Sequence, residues 1–288
     1  MLSLHTNASS LSAQVSMGKT QQALSTSMTR LSTGYRINSA MDDAAGLQIA
    51  TRLKAQTSGM AVAMRNTQNA TSMMQTAEGS LNEVTNMLTR MKDLATQAAD
   101  ASSSAADKTA MQSEYGALGD ELNNIINNTT FGGTNLFKQG TGALDGALQF
   151  QIGAGASETM TVDTSTNLNT LDTALGTVSA NYTTVGTTGT ELTGAGTAST
   201  AIGNITTALD AVGTLRSQLG ASANSLDHIY NNLSNMSTNV TEATGRIMDV
   251  DYATETSNMT TQQMLQQAGT AMLKQSNSMS QMVLSLMQ

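Results

Sequence analysis

None of the 288 residues is proline. At ordinary usage a chain of this length would carry about fourteen. Proline removes a helix hydrogen bond and clashes with the preceding turn, at a cost of about 3 kcal/mol inside a helix. A chain without it can run long helices with no forced kink, provided its apolar residues recur at helical spacing.

They do so over most of the length. Residues 2–33 carry Leu4, Ala8, Leu11 and Val15, then Leu24, Met28 and Leu31, on steps of three and four. A long helix is predicted from about 43 to 100, with Ala70, Met74, Ala77, Leu81, Val84, Leu88, Met91, Ala95 and Ala98 on one face. A further helix over 104–129 lines up Met111, Tyr115, Leu118, Leu122 and Ile125. From 201 the signal is strongest, running from Ala201 through Ile205, Val212, Leu219, Leu226 and Met236 to Ile247. The last helix repeats it with Leu265, Ala268, Met272, Gln275, Met279, Met282 and Leu286. A helix of roughly 50 residues is about 75 Å long, so the expected fold is mainly α, an elongated rod of long antiparallel helices.

The punctuation is local. Gly34 is placed to C-cap the first helix, and Ser39 or Asp42 to N-cap the next. Residues 149–153 and 158–162 alternate, which predicts a small β-hairpin within 140–165. Residues 177–200 hold nine Thr and four Gly and read as a surface segment, a loop or a short β excursion.

Composition narrows the function. There are three Phe, five Tyr, no Trp and no Cys, but 20 Met. A thick aromatic core is excluded, as are disulfides, thiolate metal sites and a cysteine nucleophile. Thirteen basic residues against 21 acidic ones give a net charge of −8, which argues against nucleic-acid binding. No apolar run is long enough for a membrane helix, so membrane insertion is not expected. The N-terminal residues lack a basic and an apolar signal region, so any export is expected to use a route without a cleaved leader. His5 and His228 have no metal-ligand spacing, and Asp42-Asp43 reads as capping rather than an acid–base pair. Gly153-Ala-Gly-Ala156 lacks the lysine of a phosphate loop. No enzyme activity, cofactor or metal is expected.

Both chain ends are therefore amphipathic helices that cannot bury their stripes alone. The economical arrangement pairs first with last and leaves apolar surface, including Met17, Met28, Met259 and Met264, for lateral association.

The run Leu31-Ser-Thr-Gly-Tyr-Arg-Ile-Asn-Ser-Ala-Met-Asp-Asp-Ala-Ala-Gly-Leu-Gln-Ile-Ala50 resembles the N-terminal signature of bacterial flagellin. The segments Asp251–Met259, Leu265–Thr270 and Val283–Leu286 resemble its C-terminal signature. Gln75–Glu83, Phe131–Leu136 and Phe150–Ala154 are similar to flagellin as well. The likeness spans about residues 1–165 and 201–288. It implies a terminal coiled-coil domain over 1–42 plus 255–288. A helical rod domain would take 43–165 plus 201–254 with its hairpin, and a short variable surface segment would take 166–200. The shortness resembles lateral, swarming-type flagellins.

What the resemblance implies in function is a secreted structural subunit. It would leave by type III export and polymerise into the extracellular flagellar filament for motility. The other reading is a hook–filament junction (hook-associated) protein. Implied partners are further copies of itself, an export chaperone, the filament cap and hook-associated proteins. The filament-core residues would be Leu4, Leu11, Val15, Leu24, Leu31, Leu265, Ala268, Met272, Met279, Met282 and Leu286. Arg90, Leu94 and Glu114 match the residues through which flagellins meet a host Toll-like receptor. Thr89, Lys92 and Asp93 depart from that family pattern, and so does Ser280 where the family often has proline. The Thr/Ser density over 157–200 makes O-glycosylation a further expectation.

Overall fold

The computed structural model describes residues 7–187 and 189–286, with side chains as far as residue 279. The chain is mainly α, as the periodicity predicts. Long helices occupy α1 (Ala8–Thr33), α2 (Ala44–Ala99), α3 (Ala105–Asn128), α6 (Thr197–Met248) and α7 (Tyr252–Leu286). Shorter elements are β1 (Thr130–Phe131), β2 (Thr134–Asn135), β3 (Ala147–Gln151), β4 (Thr159–Asp163), α4 (Ser165–Val178) and α5 (Ala180–Thr183).

The described residues fall into two compact units. The first takes residues up to Thr57 and from Thr238 onward, and the second Ser58–Ser237. The division therefore gives the start of α2 and the end of α6 to the terminal unit, whereas the expected domain boundary lay at 42 and 255.

In the first unit α1 packs on α7. α1 begins because the Asn7 side chain accepts the Ser10 amide, and ends because Gly34, at φ 76°, turns left-handed and returns its amide to the Arg30 carbonyl. α2 is not capped by Ser39 or Asp42. Asp43 accepts the Gly46 amide at 2.9 Å and does that work. Asp42 instead folds the connector, accepting the amides of Ser39 (2.9 Å) and Asn38 (3.1 Å). The two connectors pair as an antiparallel bridge between Tyr35 and Asp249, with Arg36 donating to the Met248 carbonyl at 2.6 Å and Val250 to that of Gly34 at 3.0 Å. Ile37 and Val250 are buried there.

In the second unit the predicted stripe of α2 is the core. Ala70, Met74, Ala77, Leu81, Val84, Leu88, Met91, Ala95 and Ala98 are all buried, together with Tyr115 and Leu122 of α3 and Ile205, Val212, Leu215 and Leu219 of α6. α3 opens on a capping box between Ser104 and Asp107. Past α3, Gly132 and Gly133 sit at φ 59° and 85° and close the β1–β2 hairpin, a two-residue turn that needs positive φ at both positions. The predicted hairpin is β3–β4, antiparallel with Leu148 opposite Val162.

The 177–200 stretch is not simply a surface loop or β excursion: α5 and the start of α6 fall within it, and the helix that leads into it belongs to the core. α4 buries Leu168, Leu171, Leu175 and Val178 in the core, and Tyr182 and Leu192 follow them. The Thr-rich stretch beyond is tied down by Glu191, which accepts the Ala180 amide and the Gln112 side chain, each at 2.7 Å. Gln112 in turn accepts the Leu192 amide at 2.7 Å.

Candidate assembly interface

The paired terminal helices are the candidate site. Along α1 the face turned inward is Ser10, Ala13, Met17, Thr20, Leu24, Ser27 and Leu31, on steps of three and four. Along α7 it is Glu255, Met259, Gln262, Gln266, Gly269, Leu273 and Ser276, again on alternating steps. Both are seams of coiled-coil period, but small and polar in composition. Hydrogen bonds supply part of what apolar burial does not. Asn7 donates to the Ser276 carbonyl and hydroxyl, each at 3.2 Å, Ser10 donates to Asn277 at 3.3 Å, and Gln266 donates to Gln21.

This corrects the predicted seam. Among the described residues of the predicted α1 stripe, only Leu24 and Leu31 lie on it. Leu11 (64% exposed), Val15 (55%) and Met28 (54%) lie outside it. The predicted α7 stripe runs one residue ahead of the observed seam, so Leu265, Ala268, Met272 and Met279 are exposed, Met272 at 66%. One residue is about 100° of helix rotation. Each helix thus divides its apolar side chains between a mixed inner face, which holds Met17, Leu24, Leu31, Met259 and Leu273, and an exposed flank. Leu4 and His5, and the side chains of Met282 and Leu286, lie outside the described residues.

The pair is locked where α1 ends and α7 begins. The Arg30 guanidinium lies 3.8 Å from Asp42 and 3.8 Å from Glu255. Glu255 is buried. The amides of Ser39 and Asn38 and the Ser39 hydroxyl hold the Asp42 carboxyl below its ordinary pKa, with Arg30 adding to them. Asp251, which caps α7 through the Thr254 hydroxyl (2.6 Å) and the Ala253 amide (3.1 Å), is lowered by those two bonds. Sequence reasoning missed Arg30 and Glu255. Their signal was position: a cation in the last turn of one helix and an acid in the first turn of another, the charges that helix dipoles favour.

A second group sits on α2 and α3. Arg90 and Glu114 form an ion pair at 2.6 Å, both about half exposed. Leu94 is 3% exposed and faces the core. The structure thus brings Arg90 and Glu114 together at the surface and directs Leu94 away from it. Elsewhere, no three His, Cys, Asp or Glu side chains among the described residues are grouped to hold a metal ion. No helix among them is long and apolar enough to cross a membrane.

Comparison with known proteins gives this geometry a context. Residues 4–141 match the bacterial flagellin N-terminal helical region, and residues 202–287 match the bacterial flagellin C-terminal helical region. Polar flagellin F of Vibrio parahaemolyticus is 43% identical over 162 residues, 56% of this chain and 42% of that protein. Flagellin B of Vibrio cholerae is 40% identical over 157 residues, 54% of this chain and 41% of that protein. The match to these curated relatives thus spans about two fifths of their length. A solved structure from Vibrio parahaemolyticus, assigned as a flagellar hook-associated protein, aligns with a TM-score of 0.56 at 18% identity, covering 72% of this chain and 100% of that one. At that identity it shows a shared fold and nothing more. The two matched regions, N-terminal and C-terminal in their proper order and together covering well over half of the sequence, establish that the chain belongs to the bacterial flagellins.

Proposed function

We propose that this chain is a structural subunit that polymerises into the bacterial flagellar filament, and that it does so through the outward stripes of α1 and α7. One observation carries the reading. The helices that pair through a seam of mixed polar and apolar residues leave Leu11, Val15, Met28, Leu265, Met272 and Met279 uncovered. Single exposed apolar residues are ordinary, but a line of them at helical spacing on both members of a pair marks a surface meant to be covered. Further copies of the same chain are the occupant that suits a repetitive polymer. A contact between unlike patches of identical subunits propagates as an open helix.

The family implies the rest of the life cycle. The subunit is exported by the flagellar type III route, escorted by a chaperone. It folds beneath the filament cap and stands extracellularly beyond the hook-associated proteins, where it serves motility. Arg90 and Glu114 are the surface members of the set through which a host Toll-like receptor would meet it. A receptor reporter assay in which Arg90→Ala equals wild type would remove that assignment. The hook-associated reading has the fold in common, and no observation favours it over the filament subunit.

Salt-induced polymerisation of the purified chain tests the proposal, read by sedimentation and negative-stain microscopy. Wild type forms filaments. Leu11→Glu combined with Val15→Glu stays soluble with an unchanged far-UV spectrum. Filaments of normal length from that variant would overturn the proposal.

A further inference from the structure

Sulfur in this chain is all thioether: 20 Met and no Cys. Its exposure covers a wide range among the described residues. Met60, Met74 and Met91 are at most 1% exposed, whereas Met28 (54%), Met264 (59%), Met272 (66%) and Met279 (53%) lie open on α1 and α7. Met272 and Met279 are seven residues apart, which stacks two thioethers on one line of α7, with Leu265 one heptad before them. Met41, at 97%, is the most exposed methionine among the described residues and sits in the connector, away from both stripes.

We infer that oxidation of Met28, Met264, Met272 and Met279, exposed at separate points along the α1–α7 pair, to methionine sulfoxide blocks self-assembly. The oxidant class is a peroxide or a hypohalous acid. With hydrogen peroxide, the Sδ lone pair attacks one peroxide oxygen, the S–O bond forms and the O–O bond breaks. The second oxygen leaves as water after proton transfer. Sulfur loses two electrons and the peroxide gains them. The product is polar and carries a strong acceptor oxygen. A subunit interface that buries these side chains would have to desolvate that oxygen with no donor provided for it. The core methionines are shielded, so the second unit keeps its packing while the stripes change character. In the polymer the same side chains are covered and resist the oxidant. This inference rests on the assembly reading above.

The test uses the full-length chain, hydrogen peroxide and peptide mapping by mass spectrometry. Sulfoxide is expected at Met41 and at Met28, Met264, Met272 and Met279 before Met60, Met74 and Met91. The critical concentration for salt-induced polymerisation should then rise roughly tenfold or more. Methionine sulfoxide reductases of both epimer specificities should restore it. The variant Met28→Leu, Met264→Leu, Met272→Leu, Met279→Leu keeps apolar volume. It should polymerise before and after peroxide although its Met41 is oxidised, and preformed filaments should protect Met28, Met264, Met272 and Met279 but not Met41. Unchanged polymerisation of wild type carrying mapped stripe sulfoxides overturns the inference, and so does equal loss in the leucine variant. Failure of untreated wild type to polymerise overturns the assembly reading instead.

Discussion

The Tyr115 hydroxyl donates to the carbonyl of Val178 at 2.8 Å, fastening the middle of α3 to the last residue of α4. Both side chains are fully buried. Burial, with the Glu191 carboxylate nearby, pushes the phenol well above its usual range, so it remains a donor. Tyr115→Phe removes that donor from an acceptor out of reach of water. It should cost about 1–3 kcal/mol and lower the thermal midpoint of the second unit by several degrees, read by circular dichroism. An unchanged midpoint would show that the α3–α4 junction does not depend on this bond.

Two helical glycines should respond in opposite directions. A Cβ on Gly119 would lie 2.4 Å from the Ser179 Oγ and 3.0 Å from its Cβ, so Gly119→Ala must displace the turn between α4 and α5. The expected loss is about 1–3 kcal/mol. A Cβ on Gly79, exposed in the middle of α2, meets nothing within 4 Å. Gly79→Ala should stabilise by about 0.4–1 kcal/mol, because it restricts only the unfolded chain. Denaturant melts of both variants decide this, and two changes of the same sign would contradict it.

Seam and stripe should separate experimentally. Leu24 is 7% exposed and lies on the inner face of α1. Leu24→Ala should destabilise the α1–α7 pair by about 2–4 kcal/mol, seen as lost helicity in the free chain with the second unit's transition unmoved. Leu11→Ala should leave the free chain within about 0.5 kcal/mol of wild type yet raise the critical concentration for polymerisation. Equal effects of the two on the free chain would reject the division.

Acid should loosen the first unit through Asp42. Its folded pKa lies below the unfolded value of about 3.9. As pH falls through that value the unfolded chain takes up the proton first. The stabilisation is therefore complete above about pH 5, declines as pH drops further, and is gone once pH is below the folded pKa. Asp42→Asn should flatten the dependence of the first unit's melting on pH between 7 and 2. Some slope will persist from Asp251, which is lowered in the same way. A slope identical to wild type would mean that Asp42 is not a source of the acid sensitivity.

What the sequence disclosed depended on who completes each surface. The α2 stripe from Ala70 to Ala98 was readable residue by residue, because α3 and α6 of the same chain cover it. On α1 and α7 the apolar count pointed to the flank, since Ser10, Ser27, Gln262, Gln266 and Gly269 carry no hydrophobic signal although they line the seam. Between the hairpin and the Thr-rich stretch, Leu168, Leu171, Leu175 and Val178 stand at the three-and-four spacing of a helix that a reading by composition does not reveal. The Arg90–Glu114 pair joins residues 24 apart in the chain, and its contact depends on how α2 and α3 lie together, which no motif states.

The separation of inner and outer faces, one residue on α7 and wider on α1, bears on how freely these helices can change. A helix engaged on one side can drift in sequence over most of its circumference. One with two working faces at least about 100° apart has only the remaining arc on which a mutation goes unnoticed. The terminal helices should therefore be the slowest part of this chain to diverge, and the Thr-rich stretch after α5 among the quickest, because selection reads Leu11 and Leu24 for different reasons at the same time.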